Sequence, residues 1–195
     1  MLSFESAMYR LGGKVINFNK DISSLKKGES FYDTIKTLES YGDIFVIRHP
    51  ERGKVQEAQK ILSKPVINAG DGNGEHPTQA ILDFYTIYKR FDIPKNSINI
   101  LFVGDIKNSR TIHSLMEILI KFPNFKIFAF SYLNCELLDP IINNVDSIEN
   151  LGIYDIIYYT RFQKERSLLG DEYNIPEEYI LNNQKLRTAK RSCII

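Results

Sequence analysis

Asn68-Ala69-Gly70-Asp71-Gly72-Asn73-Gly74-Glu75-His76-Pro77-Thr78-Gln79 runs from the end of an apolar stretch, through three glycines, into the start of an amphipathic one. Such a passage is a strand-to-helix turn. Glycines let a backbone approach a ligand closely, and the first amides of the helix that follows have no internal partners, so they can donate to an anion or a carbonyl. A strand feeding a helix is also the repeating unit of a parallel α/β sheet, and these twelve residues set the expectation for the rest of the chain.

Outward from that turn, helical and extended patterns alternate. Toward the N-terminus the patterning predicts strand Pro65–Asn68, helix Val55–Leu62, strand Asp43–Ile47, helix Phe31–Ser40, a short strand Lys14–Phe18, and an amphipathic helix from Leu2 that ends at Gly12-Gly13. Toward the C-terminus, helix Pro77–Phe91 carries Ala80, Ile81, Phe84, Tyr85, Ile87 and Tyr88, a stripe wide enough to pack on a sheet or bridge two units. Asp92-Ile93-Pro94-Lys95-Asn96 stops it and reads as a linker. A second series follows: strand Ile98–Val103, helix Thr111–Lys121, strand Lys126–Phe130, a helix near Cys135–Asn143, strand Asp155–Tyr159, and a strand just starting at Ser192-Cys193-Ile194-Ile195. The fold class expected is therefore α/β, two parallel-sheet lobes joined by a bridging helix. The N-terminal helix has no strand ahead of it and the last strand has barely begun, so both ends read as cut.

Composition supports this class and removes others. The 195 residues are 43% hydrophobic and 25% charged, which suits α/β units with real cores. Lysine and arginine total 25 against 24 acidic residues, and no basic stripe points to nucleic acid or an anionic membrane. Cys135 and Cys193 have no metal-type spacing, and a reduced cytoplasmic setting accounts for them more simply than a disulfide scaffold. No apolar run approaches a membrane span and no signal-peptide pattern opens the chain.

Ligands of parallel sheets sit outside the carboxyl ends of the strands. Arg48-His49-Pro50, then His76 and Gln79, then Lys107 and Arg110, then Arg161 and Gln163 each lie just past an apolar strand. Taken singly, each reads as a solvated loop residue. Together their chemistry converges: three arginines and a lysine offer donors for carboxylate or phosphate, while histidine and glutamine can hold a carbonyl or an amide. His49 and His113 are assigned packing or local hydrogen bonds. His76 has no histidine partner at i+4, so a metal is not expected, and Asp71 and Glu75 read as turn and capping residues. Gly104-Asp105-Ile106-Lys107 lacks the further glycines of a dinucleotide turn.

These stretches match a known family. His76-Pro77-Thr78-Gln79, with Arg48-His49-Pro50, Gly104-Asp105-Ile106-Lys107-Asn108-Ser109-Arg110-Thr111-Ile112-His113-Ser114 and Thr160-Arg161-Phe162-Gln163-Lys164-Glu165-Arg166, closely resembles the catalytic chain of the aspartate carbamoyltransferases, in order over nearly the whole sequence. The short motif His-Pro-x-Gln is shared with the ornithine enzymes; the Gly-Asp to His-Ser stretch and Thr-Arg-x-Gln-x-Glu-Arg favour aspartate.

The resemblance implies transfer of a carbamoyl group from carbamoyl phosphate to L-aspartate in pyrimidine synthesis, with no cofactor, metal or covalent intermediate. It implies that Arg48 and His76 contact the carbonyl oxygen, Arg48 also nearing the phosphate, and that Gln79 takes the carbamoyl amino group. Arg110, Arg161 and Gln163 would grip the two carboxylates of aspartate. Lys27, with Ser24 or Ser23, resembles a loop that reaches a neighbouring subunit's site, which implies a homotrimer with shared active sites. Residues 1–91 would form a partial carbamoyl-phosphate-binding domain with the bridging helix, and 96–195 a partial aspartate-binding domain. The family's Ser-Thr-Arg-Thr-Arg phosphate loop would precede Leu2 and its His-Pro-Leu-Pro-Arg segment would follow Ile195, so the chain is expected to be weakly active or inactive alone. The other readings are a non-catalytic shortened relative that joins full-length catalytic or regulatory chains, and a carbamoyltransferase acting on ornithine or another amine.

Overall fold

The computed structural model describes residues 2–19, 28–72, 74–93, 96–132, 139–162 and 175–195. They form two compact units, Met1–Thr78 and Gln79–Ile195.

In the first unit, α1 (Leu2–Arg10) is followed by α2 (Phe31–Glu39), β1 (Phe45–His49), α3 (Lys54–Ile61) and β2 (Val66–Asp71). Gly12, at φ 82°, ends α1 by adopting the left-handed conformation that glycine takes without strain, and Gly13 N–H closes the turn on the Met8 carbonyl at 3.0 Å. Ser30 caps α2, accepting from Asp33 N–H at 3.1 Å. β1 and β2 pair in parallel, from Phe45 opposite Val66 to His49 opposite Asp71, with an irregularity between Ile47 and His49. Ile35, Ala58 and Leu62 are buried between helices and strands, with Phe31, Phe45, Ile47, Ile61 and Val66 packed around them. Glu39 closes the far side. Its carboxylate accepts from the Ser63 N–H and hydroxyl and pairs with Lys36 at 2.8 Å, and Lys36 first, then Ser63, hold its pKa down to about 2.

The second unit runs through α4 (Pro77–Arg90), whose first two residues belong to the first unit, β3 (Ile98–Gly104), α5 (Arg110–Leu119), β4 (Phe125–Ser131), β5 (Ile142–Asn144), β6 (Ile156–Tyr159), a 3-10 turn Glu177–Tyr179 and the short α6 (Asn183–Leu186). Its sheet has the order β5-β4-β3-β6, all parallel. β3 lies at the centre and reads as one apolar run because both of its faces are covered. Ile98, Ile100 and Phe102 join Ala80, Ile87, Ile112, Leu115 and Leu119 on one side, and Leu101 and Val103 join Tyr132, Ile148, Leu151 and Ile157 on the other. Ile194 adds one parallel bridge to Ile156 at the β6 edge, which is all of the expected terminal strand that forms.

Two expectations fail. Residues 14–18 join no sheet among the described residues, and Ile16 and Phe18 are exposed; extended patterning without an adjacent strand edge leaves the backbone unpaired. The helix expected near Cys135–Asn143 gives way at its end to β5, which pairs with β4. Asp139-Pro140 is the cause: the proline cannot continue a helix, and the Asp139 side chain accepts from Ile141 N–H at 3.0 Å in a turn. Of that expected helix, residues 133–138 lie outside the described residues. The apolar stripe of α4 also divides, with Ala80 and Ile87 in the core while Ile81, Tyr85 and Tyr88 are exposed.

Candidate functional site

The first unit supplies Arg48 and His76. Arg48 is the penultimate residue of β1, exposed at the strand's carboxyl end, and His49 after it packs its ring edge-on to Phe31 at 5.8 Å while its Nδ1 accepts from Glu51 N–H. The two strand ends are locked together. Gly72 N–H donates to the His49 carbonyl at 2.8 Å, and a Cβ at Gly72 would lie 2.6 Å from the Pro50 carbonyl oxygen, so only glycine permits this approach. The buried Asp71 carboxylate accepts from Gly53 N–H at 2.8 Å and Val55 N–H at 3.3 Å, satisfying the start of α3, whose own N-cap glycine has no side chain to do so. The sequence reads Asp71 and Glu75 as turn and capping residues; Asp71 is a cap, supplied across 18 positions of chain. His76 stands one residue before α4 and is half-buried, its Nδ1 3.5 Å from the Thr78 hydroxyl. When that hydroxyl donates, the ring proton resides on Nε2, the tautomer able to donate to a carbonyl oxygen.

The second unit supplies Gln79, Arg110 and Arg161. Gln79 is in the first turn of α4, and its Nε2 donates to the Asp83 carboxylate one turn later at 2.9 Å. Arg110 opens α5 directly after Ser109, whose hydroxyl caps the helix by accepting from Ile112 N–H. The loop that brings Arg110 there is built on buried Asp105, which holds Asn108 through backbone and side chain at 3.0–3.2 Å. His113 closes the same loop, its Nε2 3.1 Å from the Ile106 carbonyl, so its work is structural as expected. Lys107 is exposed beside it.

β3 and β6 meet at their carboxyl ends with no room between them. Thr160 N–H donates to the Val103 carbonyl at 2.8 Å, and a Cβ at Gly104, which has φ 114°, would fall 2.1 Å from the Thr160 carbonyl oxygen. Arg161 follows at once and is exposed, while Phe162 turns inward and packs edge-on against the buried Tyr132 at 5.7 Å. Alternation at the strand's exit thus leaves Arg161 exposed beside an anchored aromatic, its Nη1 donating to the Phe162 carbonyl at 3.4 Å. Gln163, Lys27, Ser24 and Ser23 lie outside the described residues. Among the described residues, no group of three or more histidine, cysteine or acidic side chains could hold a metal, and no helix is long and apolar enough to cross a membrane.

Residues 1–89 match the family model for the aspartate/ornithine carbamoyltransferase carbamoyl-P binding domain. Over its full length the chain is 41% identical to the aspartate carbamoyltransferase catalytic subunit of Alkaliphilus metalliredigens, covering 67% of that protein. The chain belongs to the aspartate carbamoyltransferase catalytic-subunit family. Its fold agrees with solved structures of aspartate transcarbamoylase from Trypanosoma cruzi. The one with aspartate and phosphate bound has TM-score 0.85 and 36% identity over 99% of this chain and 64% of that one. The one with carbamoyl phosphate and aspartate has TM-score 0.83 and 34% identity over 99% and 65%. The chain spans about two thirds of the length of these proteins.

Proposed function

We propose that the protein transfers the carbamoyl group of carbamoyl phosphate to the amino group of L-aspartate, giving N-carbamoyl-L-aspartate and phosphate in pyrimidine biosynthesis. The observation that carries this reading is the placement of arginine, histidine and glutamine at the carboxyl ends of parallel strands in a chain whose relatives bind these two substrates. Residues 1–91 act as the carbamoyl-phosphate domain with its helix α4, and 96–195 as the aspartate domain. Arg48 and the Nε2 proton of His76 stabilise the negative charge that grows on the carbamoyl oxygen, and the Gln79 side-chain oxygen accepts from the carbamoyl NH2. Arg110, Arg161 and Gln163 bind the aspartate carboxylates. The amine lone pair forms the new C–N bond, the C–O bond to phosphate breaks, and the amine sheds a proton as phosphate departs. Holding both anions in reacting order is the main source of rate, in favourable cases roughly 7 to 11 kcal/mol.

The working form in this reading is a cytoplasmic homotrimer in which Lys27 and Ser24 serve a neighbouring copy's site; a monomer mass by light scattering would exclude it. Calorimetry tests the substrate assignment. Carbamoyl phosphate and L-aspartate should both bind, with L-ornithine at least about tenfold weaker because its cationic side chain meets arginine where a carboxylate belongs. Preference for ornithine would replace this reading with the ornithine one.

A further inference from the structure

We propose that Asp83 is a positioning residue for this reaction: its carboxylate, bonded on one oxygen to Gln79 and on the other to Tyr158, fixes which end of the Gln79 amide meets substrate and ties that amide to β6, the strand that leads to Arg161. The inference rests on the carbamoyl-transfer reading and assigns a role that reading leaves open.

Gln79 and Asp83 face each other one helical turn apart, Nε2 to Oδ1 at 2.9 Å. Tyr158, 75 residues away on β6, donates its hydroxyl to Oδ2 at 2.9 Å. A carboxylate accepts hydrogen bonds and donates none, so the nitrogen end of the Gln79 amide must turn toward it and the oxygen end away. A glutamine amide without such a partner rotates over a broad, nearly two-fold profile and presents either end. Only the oxygen end can accept from a carbamoyl NH2. Asp83 therefore selects the useful face of a group whose two faces have nearly the same shape.

Tyr158 is suited to hold Asp83. Burial first, and then the facing carboxylate, lift its hydroxyl pKa to about 12, so it remains a donor throughout the neutral range. Its ring is set edge-on to Phe102 of β3 at 5.7 Å. The polar chain continues past it. The Thr111 side chain is hydrogen-bonded to Tyr158, the Thr111 hydroxyl lies 3.0 Å from that of Ser109, and Ser109 lies 3.5 Å from the Thr160 hydroxyl. Ser109 and Thr111 flank Arg110, and Thr160 precedes Arg161. One run of hydrogen bonds thus begins at the group assigned to the carbamoyl amide and ends beside both arginines assigned to aspartate.

A purely structural role would make Asp83 a satisfied acceptor at the edge of the core, whose loss lowers stability and nothing else. Kinetics separates the two. Asp83→Asn puts an amide opposite Gln79 that can donate to its oxygen and hold it the wrong way round. The purified protein carrying D83N should show a KM for carbamoyl phosphate raised roughly 10- to 100-fold, the cost of a carbamoyl NH2 left facing an amide nitrogen with no acceptor. In the Gln79→Ala background the same D83N change should cost less than about twofold, because Asp83 acts through Gln79. Tyr158→Phe, which leaves the carboxylate in place, should give a smaller rise that also disappears in the Gln79→Ala background; it reads the same coupling where D83N does not fold. Losses that multiply, or a D83N protein with unchanged KM and only a lower melting temperature, overturn the inference while leaving carbamoyl transfer intact. Failure of the unsubstituted protein to bind carbamoyl phosphate overturns both.

Discussion

Gly104→Ala is expected to unfold the second unit at a temperature at least about 10 °C lower than the unsubstituted protein. The added methyl has nowhere to go. It would stand 2.1 Å from the Thr160 carbonyl oxygen, which is backbone and cannot swing aside, and the residue would have to hold φ 114°, a conformation that alanine rarely adopts. Strain of that backbone class costs about 1 to 3 kcal/mol and overpacking a filled site about as much again, together a large share of the roughly 5 to 15 kcal/mol that holds a domain folded. The clash also falls where it matters chemically. Thr160 is pinned to Val103 by its N–H and to Gly104 by contact, and Arg161 is the next residue, so the close approach of β3 and β6 determines where that guanidinium emerges. Thermal unfolding followed by circular dichroism checks the expectation; a shift of only a few degrees would mean the strand ends separate without cost.

Arg161→Ala should reduce kcat/KM for aspartate by about 100- to 1000-fold and change carbamoyl phosphate affinity by less than about threefold. A guanidinium gripping a carboxylate through two charge-assisted hydrogen bonds loses both on truncation, and the buried Phe162 keeps the backbone in place, so the loss is of contact and not of fold. Arg161→Lys should recover little, since an ammonium lacks the planar pair of donors. Steady-state kinetics at saturating carbamoyl phosphate, together with calorimetry of carbamoyl phosphate alone, gives both numbers. Equal loss toward both substrates would show that Arg161 does not belong to aspartate.

The alternation of strands and helices was legible because a parallel strand covered on both faces is a continuous apolar run, and Ile98–Gly104 is one. The strands' carboxyl boundaries moved outward: β2 extends through Asp71 and β1 through His49, so Arg48 lies within its strand's end and not beyond it. Lys14–Phe18 misled because extended patterning says nothing of whether a neighbouring edge exists, and Asn143 because the break at Asp139-Pro140 outweighs the apolar spacing that follows it. Arg48, His76, Gln79, Arg110 and Arg161 could be picked out as candidates, together with Lys107, because each follows an apolar strand, and only the family resemblance gave them roles. The groups that hold them could not. Asp71 reaches back 16 and 18 residues to cap α3, and Tyr158 meets Asp83 across 75, separations at which sequence carries no signal of contact. One local cue was present: glutamine and aspartate at i and i+4 on a helix is a pairing the spacing itself offers.

In the proposed reaction, strand-end cations and amides bring a carbamoyl group and an aspartate amine together. Carbon-13 NMR of the purified protein with labelled carbamoyl phosphate and equal concentrations of L-aspartate and L-ornithine is the decisive experiment. Label should accumulate in N-carbamoyl-L-aspartate above the rate without protein, slowly as expected of this chain alone, and His76→Ala should abolish it. Label appearing in N-carbamoyl-L-ornithine instead, or in neither product beyond the uncatalysed rate, would overturn the proposed reaction.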